Sequence, residues 1–389
     1  MTVSGVICEY NPFHNGHKYM LDCMREDGSS HIVCIMSGNF VQRGEFALCD
    51  KYLRGEMAVK NGADLVIELP LPYSVGTAET FARGSVGMLN KLNCVNRLYF
   101  GSESPKHILE DCLNESESDD FKERLKALLD EGLSYPTAYS SALNNPSVDT
   151  PNNVLAIEYM KQLKFLNSEI EPRAVIRKGV SHDSNETNET FASASALRRM
   201  ISMGENYHGF IPENCKEIID NAFENGELPS DMNKIQMGIL SKLRFMNTED
   251  FSSIADVNEG LEFRIEKAVS QGTSIGEISE NIKTRRYTNA KIRRIILCAY
   301  LGIKKDMQKE LPDYINVLAC NGKGIEIIKE IKNNSGVKVI TKHGEYDQLS
   351  EKDKALYDFT QMCDNQFALT LPKVKKCFYN RERKFKLAE

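Results

Sequence analysis

The sequence of 389 residues has no long hydrophobic run and no recognisable export signal. No stretch approaches the ~18 consecutive apolar residues that a membrane-spanning helix needs. The first thirteen residues, MTVSGVICEYNPF, lack the basic region, long apolar core and small-residue cleavage site of a secretory signal. We therefore expect a cytoplasmic protein. Its content of 41% hydrophobic and 27% charged residues is typical of a globular fold.

Paired cysteines are also absent. The eleven cysteines are scattered singly, and no Cys-x-x-Cys pair occurs. This pattern argues against a disulfide framework and against a zinc ribbon, and it favours small buried side chains. Cys8 is either a nucleophile or, more simply, a buried residue at the end of a strand. The sequence assigns no metal ligand.

Positive charge does not dominate, since the formal net charge is −6. This value argues against a protein that coats nucleic acid over its whole surface, although binding responds to the local field. Acidic residues cluster at 111–120, and basic residues cluster at 283–294 and 373–386. The charges are therefore segregated, which predicts local basic surfaces in the second half of the chain.

Short apolar runs alternate with helical patterns over the first 200 residues. Runs rich in Val, Ile and Leu predict strands at 3–8, 31–36, 64–69, 97–100 and 172–177. Apolar spacing predicts helices at 17–25, 49–61 and 78–92. The alternation indicates an α/β fold, with a Rossmann-like parallel sheet in residues 1–204. Residues 205–389 are predicted to form a mainly helical domain with a small Val/Ile-containing segment near 314–341.

The polar stretch DSNETNET at 183–190 contains no apolar residue. Such a stretch predicts a surface loop, and its position between two candidate site segments also allows a mobile lid. Both interpretations remain open.

The stretch EYNPFHNGHK at 9–18 contains two of only seven histidines, His14 and His17. It follows the first predicted strand, and open α/β sheets bind ligands beyond the carboxyl ends of their strands. Gly16 permits close backbone approach, and the following helix start offers N–H groups to phosphate. The imidazoles are suited to neutralising charge during phosphoryl chemistry. A metal site lacks a third local ligand, and a pair of surface histidines is the simplest alternative.

A second candidate phosphate site is ASASALR at 192–198. Ser193 and Ser195 precede Arg198 at a predicted helix start, where hydroxyl and main-chain N–H groups can bind phosphate. A capped helix with no ligand is the alternative.

His14-Asn15-Gly16-His17 resembles the His-x-Gly-His signature of the nucleotidyltransferase superfamily. ASASALR stands in the place of the superfamily's Ile-Ser-Ser-Thr-x-x-Arg motif, with Ala192 and Ala194 as departures. Within the superfamily the chain is similar to the bacterial tRNA(Met) cytidine acetate ligase family. The segments that carry this likeness are CEYNPFHNGH, MSGNFVQRGE, DKYLRGEMAVKNGADLVIELPL, FGSE, PNNVLAIEY, 177–183 and 283–297.

The resemblance implies an ATP-dependent ligase that activates acetate as acetyl-adenylate and releases pyrophosphate and AMP. The acetyl group would pass to N4 of the wobble cytidine of elongator tRNA(Met) without acetyl-CoA. Magnesium is expected to bind through the triphosphate. Two other functions remain open: a nucleotidyltransferase that adenylylates another small metabolite, and a non-catalytic RNA-binding nucleotide sensor.

The resemblance also implies site residues. His14 and His17 would be the catalytic residues. The ATP-binding loop would comprise Ile7, Cys8, Glu9, Tyr10, Asn11, Pro12, Phe13, His14, Asn15, Gly16, His17, Lys18, Tyr19 and Met20. Further ATP contacts would be Gly101, Asn153 and Arg177. As alternatives, Asn153 is only a helix N-cap and Arg177 forms only a surface ion pair.

A basic amphipathic helix is predicted after Thr288, with its isoleucines on one face. Basic residues on the remaining faces predict phosphate contacts to RNA, and a solvated charged face is the alternative. The candidate tRNA-binding residues are Arg285, Arg286, Lys291, Arg293 and Arg294. In MSGNFVQRGE, recognition of the acceptor or the small acid is predicted for Asn39, Gln42 and Arg43, with a turn and helix cap as the alternative.

Overall fold

The computed structural model describes residues 1–143, 150–177, 191–258, 260–382 and 386–387. The candidate lid at 183–190 lies outside the described residues. The strands are β1 Val3–Cys8, β2 His31–Ser37, β3 Phe40–Val41, β4 Glu45–Phe46, β5 Leu65–Leu69, β6 Arg97–Ser102, β7 Glu171–Ile176, β8 Tyr314–Cys320, β9 Lys338–Ile340 and β10 Lys386–Leu387. None of the described helices is both long and apolar enough to cross a membrane.

The α-helices of the described chain surround the sheet in the first half and form most of the second half. They are α1 Asn15–Glu26, α2 Lys51–Lys60, α3 Leu71–Ser74, α4 Ala78–Lys91, α5 Lys106–Ser116, α6 Asp119–Asp130, α7 Tyr135–Ala142, α8 Pro151–Phe165, α9 Ala194–Met203, α10 Glu213–Glu224, α11 Gln236–Arg244, α12 Thr248–Ser253, α13 Leu261–Gln271, α14 Ile275–Ile282, α15 Asn289–Leu301, α16 Gly322–Asn334 and α17 Glu351–Ala368.

Within the described residues, eight strands form one mainly parallel sheet in the order β10-β8-β5-β2-β1-β6-β7, with β9 also paired to β8. All neighbours run parallel except β5 and β8, which pair antiparallel. The predicted α/β fold with a parallel sheet is confirmed. The strand predictions are confirmed with ends shifted by one or two residues.

Both faces of the sheet are buried, as parallel sheets require. Along β2, Val33 and Ile35 belong to the core beneath α4 and α8, while Ile32 and Cys34 belong to the core beneath α1, α2 and α9. This alternation explains why β2 is a continuous apolar run rather than an alternating one.

The helices α11 to α15 and α17 share a separate core. The short hairpin of β3 and β4 packs into it, since Phe40 and Phe46 belong to the same buried cluster. The chain therefore has a mainly helical second half, as predicted. A division at residue 204 stays a prediction, because β8 from the second half is paired with β5 inside the sheet.

A buried ionic cluster joins the sheet to α17. The Lys51 ammonium donates to Glu68 Oε1 at 2.6 Å and to Asp364 Oδ2 at 2.8 Å, and the lysine side chain is completely buried. Asn316 donates to the other Glu68 oxygen at 2.6 Å. The packing of α17 against the sheet therefore depends on the positive charge of Lys51, in the first turn of α2, which balances the carboxylates of Glu68 and Asp364.

Candidate active site

A cleft lies at the carboxyl ends of β1, β6 and β7. Strand β1 has β2 on one side and β6 on the other, so the strand order reverses beside it. Open α/β sheets bind ligands at this position. The enclosed part of the cleft has a volume of about 270 Å³, near the lower end of the ~300–1,000 Å³ of ordinary small-molecule pockets, and the cleft opens to solvent beyond it.

The two motif histidines lie together in the wall of this cleft. Their ring centroids are 3.7 Å apart and the rings are stacked. His14 is the N-cap of α1, where its Nδ1 accepts from the Gly16 N–H at 3.0 Å. His17 Nδ1 accepts from the His14 N–H at 3.3 Å. Because both Nδ1 atoms accept, each neutral ring carries its proton on Nε2, which becomes the donor.

Aromatic packing fixes His17. Tyr10 contacts its ring edge-on at a centroid distance of 4.8 Å, and Phe13 lies at 5.6 Å. Both aromatic rings are buried in the core beneath α1. The imidazoles are therefore held on a rigid support, which favours preorganised charge stabilisation.

Arg54 positions the loops that form the cleft, a role that we did not predict from the sequence. Its guanidinium is fully buried and donates to the carbonyl oxygens of Glu9 at 2.6 Å and Ser37 at 3.1 Å, as well as to that of Gly38. It thereby joins the ends of β1 and β2. The available signal was its position among the apolar residues of α2, at helical spacing from Met57 and Ala58.

The start of α9 forms another wall of the cleft. Ser193 is its N-cap and accepts from the Ala196 N–H at 3.1 Å, so the predicted cap is present. Ser195 Oγ lies 3.0 Å from Ser193 Oγ. Arg198 donates to the Asn11 carbonyl at 3.0 Å, which brings a guanidinium next to the histidine loop. Two helix N-termini and one arginine thus face the same space, an arrangement suited to anions.

Glu9 lies directly after β1 and is one of the carboxylates that line the cleft. Its Oε1 accepts from the Gln42 N–H at 2.7 Å, which ties the β3–β4 hairpin to the sheet edge. Burial raises the pKa of Glu9, although the charges of Arg198, Arg54 and Arg43 oppose that rise.

The other predicted ATP contacts occupy different positions. Gly101 and Arg177 line the cleft, with Arg177 Nε 3.6 Å from Glu103 Oε1. Burial lowers the pKa of Arg177. Asn153 is completely buried outside the wall of the cleft, and its Oδ1 accepts from Ser102 Oγ at 2.7 Å. It therefore shapes the loop after β6. The N-cap of α8 is Thr150 and not Asn153.

The predicted ATP loop contributes part of its length to the cleft. Ile7, Cys8, Glu9, Tyr10, Asn11, His14, Gly16, His17, Tyr19 and Met20 line it. Pro12, Phe13, Asn15 and Lys18 are not among the described residues of its wall. Lys18 instead pairs with Asp22, and the Asn15 amide donates to the Gly209 carbonyl at 3.1 Å.

Only some residues of MSGNFVQRGE line the cleft. Gln42 and Arg43 line the cleft through the turn of the hairpin. Asn39 is buried away from it, where Oδ1 accepts from the Lys51 N–H at 2.8 Å and Nδ2 donates to Asp364 at 2.8 Å. Asn39 therefore supports the start of α2. Contact with the acceptor or the small acid stays a prediction for Gln42 and Arg43.

The basic helix α15 has the predicted cap at Thr288, and its isoleucine face is buried. Arg294 does not face solvent. Its side chain is 12% exposed and lies 2.9 Å from Asp256, which also has Lys291 at 3.5 Å. Arg293 extends toward the cleft, with Nη2 3.6 Å from Glu45 Oε1.

The remaining predicted RNA contacts, Arg285 and Arg286, are exposed in the segment before α15. Across the described chain, no three His, Cys, Asp or Glu side chains are grouped to hold a metal ion. The site therefore offers imidazole and guanidinium donors to an anion, and its acidic groups are few.

Comparison with known proteins identifies a family and relatives of similar sequence. A family model described as HIGH Nucleotidyl Transferase matches residues 1–382. A protein of Thermoanaerobacter sp. (strain X514) named tRNA(Met) cytidine acetate ligase is 40% identical over 364 residues, covering 89% of this chain and 90% of that protein. A protein of the same name from Clostridium perfringens is 36% identical, covering 96% and 97%.

Two solved structures have the same fold over all or nearly all of the chain. Thermotoga maritima TmcAL in its apo form I has a TM-score of 0.92 at 27% identity, and the match covers 100% of both chains. Form II of that protein, bound with alpha-thio ATP, has a TM-score of 0.88 at 28% identity, covering 96% of each chain. The chain described above, with its paired histidines at the switch point of the sheet, belongs to the tRNA(Met) cytidine acetate ligase family of HIGH nucleotidyl transferases.

Proposed function

We propose that this protein activates acetate with ATP to form acetyl-adenylate and then acetylates N4 of the wobble cytidine of elongator tRNA(Met). The observation that carries the proposal is the stacked pair His14 and His17 at the N-terminus of α1, inside the cleft at the strand-order reversal. The names of the relatives supply acetate and the cytidine of tRNA(Met), and the structure of Thermotoga maritima TmcAL bound with alpha-thio ATP supplies the nucleotide.

The geometry supports in-line displacement at the α-phosphorus. An acetate oxygen attacks that atom, and the bond to the pyrophosphate oxygen breaks. The Nε2–H groups of His14 and His17 donate to phosphate oxygens that gain negative charge, and Arg198 with the N-termini of α1 and α9 adds positive potential. In the second step the cytidine N4 attacks the acetyl carbon and AMP leaves.

We place the RNA on the side of α15. Arg285 and Arg286 are exposed there, and Arg293 extends from the same region to the rim of the cleft. RNA phosphates would contact these cations. Magnesium would arrive with the triphosphate and screen its charge. The described site lacks a cage of carboxylates, and Mg²⁺ in such sites is held largely by phosphate and water. We assign the reaction to the cytoplasm.

The test is ATP–pyrophosphate exchange with a panel of carboxylates, followed by addition of unfractionated tRNA. Exchange that requires acetate, and acetylated cytidine once tRNA is added, is the expected result. Exchange with a different acid only would favour a metabolite nucleotidyltransferase. RNA binding without exchange in the presence of any acid would favour a nucleotide sensor.

A further inference from the structure

Glu45, the first residue of β4, lies between two arginines from different parts of the molecule. Its Oε2 is 3.7 Å from Nη2 of Arg198 on α9, which lines the cleft. Its Oε1 is 3.6 Å from Nη2 of Arg293 on the basic helix α15. Both separations exceed hydrogen-bond length, so the carboxylate is shared between two partners and tightly bound to neither.

The hairpin holds Glu45 at a fixed position against α15. Gly44 has φ +75°, and a Cβ at this position would lie 2.4 Å from the Arg294 main-chain nitrogen. The backbone of the turn thus rests directly on the backbone of α15. Arg293 Nε also donates to the Arg43 carbonyl at 3.4 Å. The contact between Glu45 and Arg293 is therefore built into the packing of two elements.

The charges act on one another across this junction. Burial lowers the pKa of Arg198, Glu45 and Glu9 oppose that change, and the positive charges of Arg43 and Arg293 add to it. The pKa of Arg198 thus responds to the charge of Arg293 as well as to the charge of Glu45, the carboxylate that they share. If another anion pairs with one of the two arginines, Glu45 therefore interacts more strongly with the other arginine.

We propose that Glu45 is a shared counter-ion that couples the nucleotide cleft to the RNA side of the protein. While Arg293 shares Glu45, the carboxylate neutralises Arg198 only in part, and Arg198 attracts the triphosphate more strongly. When an RNA phosphate draws Arg293 away, Glu45 pairs with Arg198, and the cleft binds triphosphate and pyrophosphate less tightly. The inference rests on the proposed function and deepens it, since RNA binding would then favour pyrophosphate release after the adenylate has formed.

A double-mutant cycle on ATP affinity tests the first half of this inference. Binding is measured by calorimetry without any acid or RNA, so that no turnover occurs. Glu45→Gln should tighten ATP binding about two- to fivefold, the range that partly exposed ion pairs support, and Arg293→Ala should weaken it by a similar factor. In the Glu45→Gln background, Arg293→Ala should lose most of its effect, because the shared carboxylate is gone. Arg293→Lys should restore most of the wild-type affinity.

The matched control is Arg199→Ala, which removes one charge from the same helix as Arg198. Arg199 pairs with Glu205 at 2.8 Å and does not line the described cleft, so ATP affinity should not change. A merely structural role for Glu45 would weaken ATP binding in Glu45→Gln, and that result would overturn the inference. Equal effects of Arg293→Ala in both backgrounds would also overturn it.

The second half is tested by repeating the titration with saturating unfractionated tRNA. The wild type should bind ATP about two- to fivefold more weakly with tRNA than without it, and Glu45→Gln should show no difference. Unchanged wild-type affinity would overturn the coupling. Because these measurements need no acetate, a protein that passes them but shows no acetate-dependent exchange would contradict the proposed function alone.

Discussion

At the scale of single residues, the three-residue spacing of the histidines determines their geometry. Side chains at i and i+3 are neighbours on a helix, and His14 and His17 occupy the N-cap and third positions of α1. The sequence was sufficient to predict two imidazoles at a helix start beyond the first strand. It did not predict that His14 is itself the cap, because histidine is not among the preferred N-cap residues.

This double role permits a clean separation of catalysis from stability. His14→Ala removes both cap and imidazole, whereas His14→Asn replaces the imidazole with a good cap. We expect both variants to lose acetate-dependent exchange by roughly 10²–10³-fold, the range for one donor to a developing oxyanion. Only His14→Ala should lose about 1 kcal/mol of unfolding free energy in urea. Exchange near the wild-type rate in His14→Asn would contradict the assigned role.

Glu9 gives a prediction for pH. Burial raises its pKa from the ordinary value of 4.5, so the folded protein binds this proton more tightly than the unfolded chain. The resulting contribution to stability is present below about pH 4.5 and is lost as the pH rises through the folded-state pKa. Glu9→Gln keeps an oxygen for the Gln42 N–H but cannot ionise. Its stability relative to wild type should therefore increase with pH.

The measurement is urea unfolding of both proteins between pH 4 and pH 7, followed by circular dichroism. The difference between the two free energies should grow with pH until Glu9 is fully ionised. Parallel curves over this range would show that Glu9 titrates in the folded protein as it does in the unfolded chain.

At the scale of elements, local pattern predicted the parallel strands β1, β2, β5, β6 and β7, since each strand of five to seven residues contains a short apolar run. The hairpin of β3 and β4 was not predicted, because two residues per strand are too few to show an alternating pattern. The apolar segment near 314–341 was recognised, but its pairing with β5 was not. That contact spans some 250 residues, and nothing in local periodicity encodes it.

The buried cluster around Lys51 could not be predicted from local sequence either, since Asp364 is 313 positions away in the chain. Burial raises the pKa of Asp364 to about 6 even beside the lysine. Lys51→Met would leave Glu68 and Asp364 buried without their counter-charge. We expect it to cost about 3–5 kcal/mol of unfolding free energy in urea.

The control for that variant is Lys60→Met on the same helix. Its ammonium is partly exposed and lies 3.8 Å from Glu56, so the change should stay within about 0.5 kcal/mol of wild type. Similar losses in the two lysine variants would show that the buried cluster contributes no more than a surface ion pair.

At the scale of the whole molecule, the segregated charges recognised in the sequence do not all serve one surface. Asp256 forms ion pairs with Arg294 and Lys291 within the helical half, whereas Arg285 is exposed to solvent. The sequence identified the basic segment but not this division, because Asp256 lies 38 residues from Arg294.

RNA binding should therefore respond differently to the two arginines. Arg285→Ala should weaken tRNA binding and reduce the slope of log K against log salt by about 1, with unfolding unchanged. Arg294→Ala should lower the unfolding free energy, since it leaves Asp256 with one fewer partner. Filter binding over a salt series and urea unfolding separate these effects. An unchanged salt slope in Arg285→Ala would remove this residue from the RNA surface.

The most direct test of cleavage at the α-phosphorus is incorporation of carboxyl-labelled acetate into tRNA, with the nucleotide products separated by chromatography. We expect label to enter tRNA with ATP and acetate alone, with one AMP formed for each acetyl group transferred, and we expect His14→Asn to lower both by roughly 10²–10³-fold. Formation of ADP in place of AMP, or transfer only when acetyl-CoA is supplied, would contradict the claim that the two histidines bind a triphosphate as it is cleaved at the α-phosphorus.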